Sequence, residues 1–316
     1  MDIYDFNGIP QNDKTYGGTA GVKVGITIDQ VDFLLKYPGK LNDRNFKNVE
    51  LSYSNSPVCE YIGCKVYESV GIPVQQTFLG TRNGKIVVAC RDFLERGDTL
   101  IPYKDIKATF EPAFTDPQGD ITNGTGTNIH EIIRTFKEHP LLVSNPELES
   151  RFWDMFVADA LIGNPDRNNE NWGLIRDIDR NYRIAPVYDC GNCLNSKLSE
   201  EQVMSCMSDD AKMRELSIQR PCIFERKPDK RINAYAYIGK CQNGQCNEAV
   251  RRIVPNVDLN AIKEIIYDIP DSLLHNIYKE FYCSIMEMRH DLILEPTYMK
   301  LLERDISYDY DDHDDR

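Results

Sequence analysis

The sequence predicts an α+β fold, with a small β-rich part over about residues 1–94 and a larger helical part over about 95–303. Two observations carry this. The first third holds short β-branched runs that meet at turn residues, around a single helical stripe. After Leu94 the apolar spacing changes to that of amphipathic helices. With 316 residues, 41% of them hydrophobic and 28% charged, the chain can bury a sizeable core as one domain or two lobes.

In order, "VKVGITID" and "VDFLLKY" read as two strands around an Asp29-Gln30 turn. "SPVCEYIGCKVYESVG" carries Val58, Ile62, Val66 and Val70 at four-residue spacing, the stripe of a helix that Gly71 ends and Pro73 keeps from resuming. "PVQQTFLG" and "KIVVACRDF" flank Asn83-Gly84, a strong hairpin signal. "ERGDT" reads as a linker, and residues 115–128 as a Gly/Asn/Thr-rich loop. "NIHEIIRTFKEH" and "NPELESRFWDMFVADALIG" then read as helices, the second with Leu148, Phe152, Met155, Phe156 and Ala160 on one face. Further helices are expected near 199–217, 245–253, 258–267, 271–292 and 295–303. Residues 304–316 are acidic and lack apolar spacing, as an unstructured tail would.

Composition narrows the function. A net charge of -13 disfavours a broad nucleic-acid surface, which needs clustered Lys and Arg. No run approaches the ~20 apolar residues of a membrane helix. The N-terminus is acidic and shows no signal-peptide pattern, so a cytoplasmic protein is expected. The ten cysteines are scattered and partly inside apolar segments, which suits buried, reduced thiols. Cys190-x-x-Cys193 with Cys241-x4-Cys246 is an imperfect zinc pattern, and ordinary thiols are the expected reading.

The polar cluster "NPDRNNEN" sits between two apolar segments. Asp166 and Asn171 are five apart, and Asp189 follows after an expected strand pair, with Gly191 just beyond. Phosphoryl transfer needs such a set: an Asp to orient the acceptor hydroxyl, then an Asn and a second Asp as oxygen ligands for Mg²⁺. "TYGGTAGVKVGI" brings Gly17, Gly18 and Gly21 ahead of a strand, where backbone N–H groups can approach phosphates. Lys36 ends an apolar strand and can neutralise phosphate, and Glu60 on the following helix can hold that lysine. Each feature alone has an ordinary reading as a turn, a capped loop or a solvated charge. Their order along one chain favours the chemical reading.

Three phrases go further: "CEYIGCKVYESVGIPVQQTFLGTRNGKIVVAC", "FWDMFVADALIGNPDRNNENWG" and "IAPVYDCGNCL". They resemble the HipA-like kinases, a bacterial branch of the protein-kinase-like fold near the phosphoinositide kinases, from about residue 15 to about 290. The resemblance implies a bilobal kinase, small β-rich N-lobe and larger helical C-lobe, that binds ATP with Mg²⁺ (or Mn²⁺) between its lobes and phosphorylates Ser or Thr of a protein. It implies Asp166 as the catalytic residue, Asn171 and Asp189 as metal ligands, and Lys36 with Glu60 at the ATP phosphates. Gly17, Gly18, Thr19 and Gly21 would form the nucleotide loop, and Arg91, Asp92 and Phe93 the hinge at adenine. Family members autophosphorylate in that loop, which makes Thr19 a candidate beside Thr15 and Tyr16. The family commonly has Asp-Arg-His where this chain has Asp166-Arg167-Asn168, a change that bears on how the hydroxyl is handled. The full-length toxins carry an extra N-terminal subdomain and bind an antitoxin, a partner not expected here. Translocation into a host rests on the resemblance alone. A pseudokinase or interaction module is the main alternative, then the same fold acting on a small molecule or transferring a nucleotidyl group. Asp159, near the apolar face of its helix, is either a buried structural carboxylate or a support for the catalytic loop.

Overall fold

The computed structural model describes residues 1–16, 22–39, 54–110, 124–227 and 229–311. It divides into two compact units. The first comprises Met1–Ile101, Leu174–Lys212 and Asp258–Cys283; the second comprises Pro102–Gly173, Met213–Val257 and Ser284–Arg316. The first unit thus takes in two stretches well beyond residue 94.

The first unit contains a five-stranded sheet. Strands β1 (Tyr4–Asp5), β2 (Lys23–Ile28), β3 (Val31–Lys36), β4 (Thr77–Arg82) and β5 (Lys85–Arg91) lie in the order β1-β4-β5-β3-β2. The β2–β3 hairpin turns at Asp29 (φ 49°) and Gln30 (φ 65°), and β4–β5 at Asn83 (φ 51°) and Gly84 (φ 70°). Two consecutive left-handed residues give the turn whose twist matches the flanking strands. Alternation then puts Ile26, Leu35, Val87 and Ala89 into one buried cluster with Phe6. The parallel pairing of β1 with β4 was not expected. It depends on Gly80, where a Cβ would lie 2.1 Å from the Tyr4 carbonyl oxygen.

Helix α1 (Ser56–Ser69) buries Val58, Ile62, Val66 and Tyr67 and packs on β4 and β5. It ends with the Val70 N–H on the Val66 carbonyl, and Gly71 turns the chain at φ 79°. A second sheet orders β6 (Thr99–Pro102), β7 (Gly173–Arg176) and β8 (Tyr182–Ile184) as β6-β7-β8. The remaining α-helices among the described residues are α2 (Tyr103–Ala108), α3 (Ile129–Glu138), α4 (Pro140–Val143), α5 (Glu147–Ile162), α6 (Glu200–Met207), α7 (Asp210–Ile218), α8 (Ala234–Gly239), α9 (Gly244–Ile253), α10 (Leu259–Tyr267), α11 (Asn276–Arg289) and α12 (Glu295–Asp311). A short hairpin joins β9 (Glu225–Lys227) to β10 (Lys230–Arg231).

In the second unit α5 is the central helix, packed against α9 and α8. It buries Leu148, Phe152, Trp153, Met155 and Phe156 on adjoining faces. Tyr103 stacks on Trp172 at 4.0 Å, and Phe136 and Phe152 pack around that pair. The single helix expected over 199–217 is two. Asp209 Oδ1 accepts from the N–H groups of Ala211 and Lys212, which starts a new helix where the first stops. Helix α12 runs to Asp311, into the segment expected to lack structure; residues 312–316 lie outside the described residues. Among the described residues no helix is long and apolar enough to cross a membrane.

Candidate functional site

Within the first unit, β3 delivers Lys36, α1 delivers Glu60, and the segment after β8 delivers Asp189. The Lys36 ammonium lies 3.0 Å from Glu60 Oε2 and 3.0 Å from Asp189 Oδ1. Glu60 is 1% exposed, so its charge needs partners. Its other oxygen supplies them, accepting from Gln75 Nε2 at 2.7 Å and from the Cys190 N–H at 3.1 Å. Burial would lower the Lys36 pKa, but the two carboxylates outweigh it and hold the ammonium well above the usual lysine range. Burial likewise pushes the neighbouring Cys90 thiol up, out of reach of ordinary titration. Asp189 sits at φ 61°, a left-handed backbone, and is only partly buried. Gly191 has a steric reason to be glycine: a Cβ there would stand 3.0 Å from Glu60 Oε2 and 3.3 Å from the Ser56 carbonyl oxygen.

The expected hinge residues also lie in this unit. Arg91 ends β5 and donates to Gln76 Oε1 at 2.9 Å. Asp92 accepts from Lys14 Nζ at 2.8 Å, from the Tyr16 hydroxyl at 3.3 Å and from the Leu94 N–H at 3.0 Å. Hydrogen bonding to Asp92 raises the Lys14 pKa despite partial burial. Phe93 packs on Tyr188 at 5.7 Å. Arg91, Asp92 and Phe93 line a cavity of about 400 Å³ together with Lys14, Asp32 and Gln75. Gly17, Gly18, Thr19 and Gly21 lie outside the described residues.

Within the second unit, the loop after α5 holds Asp166 and Asn171. Gly163 ends α5 at φ 64°. Asn164 then donates its side-chain amide to Asp159 Oδ1 at 3.1 Å and accepts from the Asp166 N–H at 3.1 Å. Arg167 is 2% exposed. It grips Asp159 through Nε at 2.8 Å and Nη2 at 3.0 Å, and donates Nη1 to the Asn171 carbonyl at 3.1 Å. Asn171 Nδ2 donates to the Asp166 carbonyl at 2.9 Å, which brings the two predicted residues together. Asn168 Nδ2 donates to Asp166 Oδ1 at 3.2 Å, and its own oxygen accepts from the Glu170 N–H at 2.8 Å. Asn169 is buried and donates to the carbonyls of Gly124 and Gly126, both at 2.9 Å. Asp159 is therefore both of the things weighed for it: a buried carboxylate and the anchor of the loop. Arg167, Gln75 and Lys14 were not singled out by sequence reasoning. A charged or amide side chain carries no mark of burial until its partner is known.

The chemistry on offer is specific. Lys36 donates a hydrogen bond to Asp189 Oδ1 and meets Glu60 Oε2 as an ion pair, which leaves N–H capacity on the ammonium for an anionic oxygen. Asp166 is half-buried and presents a carboxylate on a braced loop. The Asn171 amide nitrogen is committed to a carbonyl, so its donor for a hard cation is the amide oxygen; Asp189 offers a carboxylate. Each, within its own unit, is an oxygen donor of the kind Mg²⁺ takes.

No family model matches the chain. A serine/threonine-protein kinase, CtkA of Helicobacter pylori (strain J99 / ATCC 700824), is 31% identical over 324 residues, spanning 100% of this chain and 95% of that protein. The crystal structure of the H. pylori proinflammatory kinase CtkA superposes with a TM-score of 0.86 at 31% identity, over 96% of this chain and 98% of that one. HipA in a Shewanella oneidensis MR-1 toxin–antitoxin complex with HipB and operator DNA gives a TM-score of 0.50 at 14% identity, over 94% of this chain and 69% of that chain, a likeness of fold alone.

Proposed function

This chain belongs to the CtkA family of serine/threonine-protein kinases, HipA-like in fold, and on that premise we propose that it transfers the γ-phosphoryl group of ATP to a Ser or Thr hydroxyl of a protein. The observation that carries the reading is the Lys36 ammonium held at 3.0 Å from both Glu60 and Asp189. In this bilobal reading Lys36 aligns the ATP phosphates, and Glu60 fixes where its charge sits. Asp166 accepts a hydrogen bond from the acceptor hydroxyl and takes its proton as the oxygen attacks the γ-phosphorus, while the bond to the β–γ bridging oxygen breaks and ADP leaves. Asn168 orients that carboxylate through its bond to Oδ1. Asn171 and Asp189 would hold Mg²⁺, which supplies charge neutralisation at the phosphates. Arg91, Asp92 and Phe93 face the adenine. Positioning and electrostatics carry most of the rate, as is usual for this reaction.

Autophosphorylation at Thr19 is part of the same reading. A phosphate there would repel the nucleotide phosphates and self-inhibit. Mass spectrometry after incubation with ATP is expected to find the 15–21 segment modified; an unmodified segment would remove this part alone. The central test is radiolabel transfer from [γ-³²P]ATP with Mg²⁺ to a protein acceptor. Transfer by the wild type, lost in Asp166→Ala and in Asp189→Ala, is the expected result. Transfer surviving both substitutions would overturn the assignment of roles.

A further inference from the structure

The second unit carries a basic cavity that none of the residues above line. It measures about 340 Å³ and lies at the β9–β10 hairpin and α8. Arg226, Lys227, Lys230, Arg231 and Lys240 line it, with no Asp or Glu. All five cations are exposed. Among the described residues none of the five forms an ion pair, whereas Arg251, Arg252 and Lys279 each find a carboxylate. In a chain of net charge -13, such a cluster runs against the background.

Two details indicate what the cluster is for. Lys227 and Lys230 are direct partners across the antiparallel hairpin. Like charges in that position destabilise a strand pair, so the arrangement costs the fold something. The Arg226 guanidinium lies 5.9 Å over the Tyr237 ring. A guanidinium over a ring face still presents N–H groups at its edge, the form suited to bidentate contact with phosphate.

We propose that this cavity is an oxyanion site for the phosphoryl group of a phosphorylated segment of a protein partner. Its volume is that of a small-ligand site and suits one phosphorylated side chain with its neighbours. A nucleic acid needs a basic track along its backbone, which the overall charge opposes. The cavity's lining does not include Asp166, Asp189 or Lys36, so binding there can be read without ATP.

The experiment is a binding titration on the full chain without ATP. Its probes are a fluorescent peptide bearing one phosphoserine, the unphosphorylated twin, and a single-stranded oligonucleotide of equal net charge. The phosphopeptide is expected to bind at least tenfold tighter than the twin. The Lys227→Gln/Lys230→Gln double variant is expected to weaken that binding at least tenfold. Its melting temperature should hold or rise, because a repulsion has been removed. Lys263→Gln, on another exposed surface, should change nothing. Equal binding of the two peptides, an unaffected double variant, or an oligonucleotide bound as tightly as the phosphopeptide would each overturn the proposal.

Discussion

Glu60 shows how one buried carboxylate is made tolerable. Lys36 neutralises it, while Gln75 and the Cys190 N–H satisfy its second oxygen. Gly191 then matters through space alone, since a methyl group would press on Glu60 Oε2 at 3.0 Å. Gly191→Ala is expected to displace Glu60 and lower kcat on the order of 10²-fold, as small misplacements of catalytic groups do. Steady-state kinetics beside a melting curve would check that the fold survives. Lys36→Met removes the charge proposed to align the phosphates and should cost on the order of 10²–10³ in kcat. The D-x-G pattern marked Gly191 in the sequence, but its reason became visible only with the Glu60 carboxylate beside it.

The loop between α5 and β7 is a braced element. Asp159 on α5 holds Arg167, and Arg167 holds the Asn171 carbonyl, so the helix sets the loop's position. Asp159→Ala would leave a 2%-exposed guanidinium without its charge partner, at a cost of about 3–5 kcal/mol. Urea unfolding would measure it as a lower midpoint. Gly163→Ala faces a left-handed backbone, worth about 1–2 kcal/mol, and a Cβ 2.3 Å from Arg289 Nη2. The start of α4 gives a pH dependence. His139 Nδ1 accepts from the Leu141 N–H, so the ring proton lies on Nε2, paired with Thr109 Oγ1. Burial holds the His139 pKa below the usual histidine range. The unfolded chain therefore binds the proton more readily, and this contribution is complete above about pH 6.5 and lost as pH falls below it. Unfolding free energies at pH 7.5 and 5.5 are expected to converge in His139→Asn relative to the wild type.

For the molecule as a whole, fifty acidic against 37 basic side chains imply self-repulsion. Raising salt from about 0.05 to 0.5 M should raise the melting temperature, since the screening length falls from roughly 14 to 4 Å. Much of the architecture was readable beforehand because it is written locally. Asp29-Gln30 and Asn83-Gly84 supply turn chemistry, Val58 to Val70 a stripe, and Asp166-x4-Asn171 a spacing. What the sequence hid is non-local or depends on a partner: the pairing of β1 with β4, the burial of Arg167, and the break at Asp209, where a cap overrides an apparently continuous periodicity. The unit boundaries belong here too, since the first unit is assembled from three separate stretches. A fragment ending at Ile101 lacks two of them and is expected to show no cooperative melting by circular dichroism. That discontinuity also sets a clock on synthesis. Lys36 and Asp189 are 153 positions apart, so at about 5–20 residues per second a ribosome needs roughly 8–30 s to make the second after the first. Until then every nascent chain carries the lysine without its Asp189 partner, and a transcript cut short anywhere in that interval yields a protein that lacks the proposed centre.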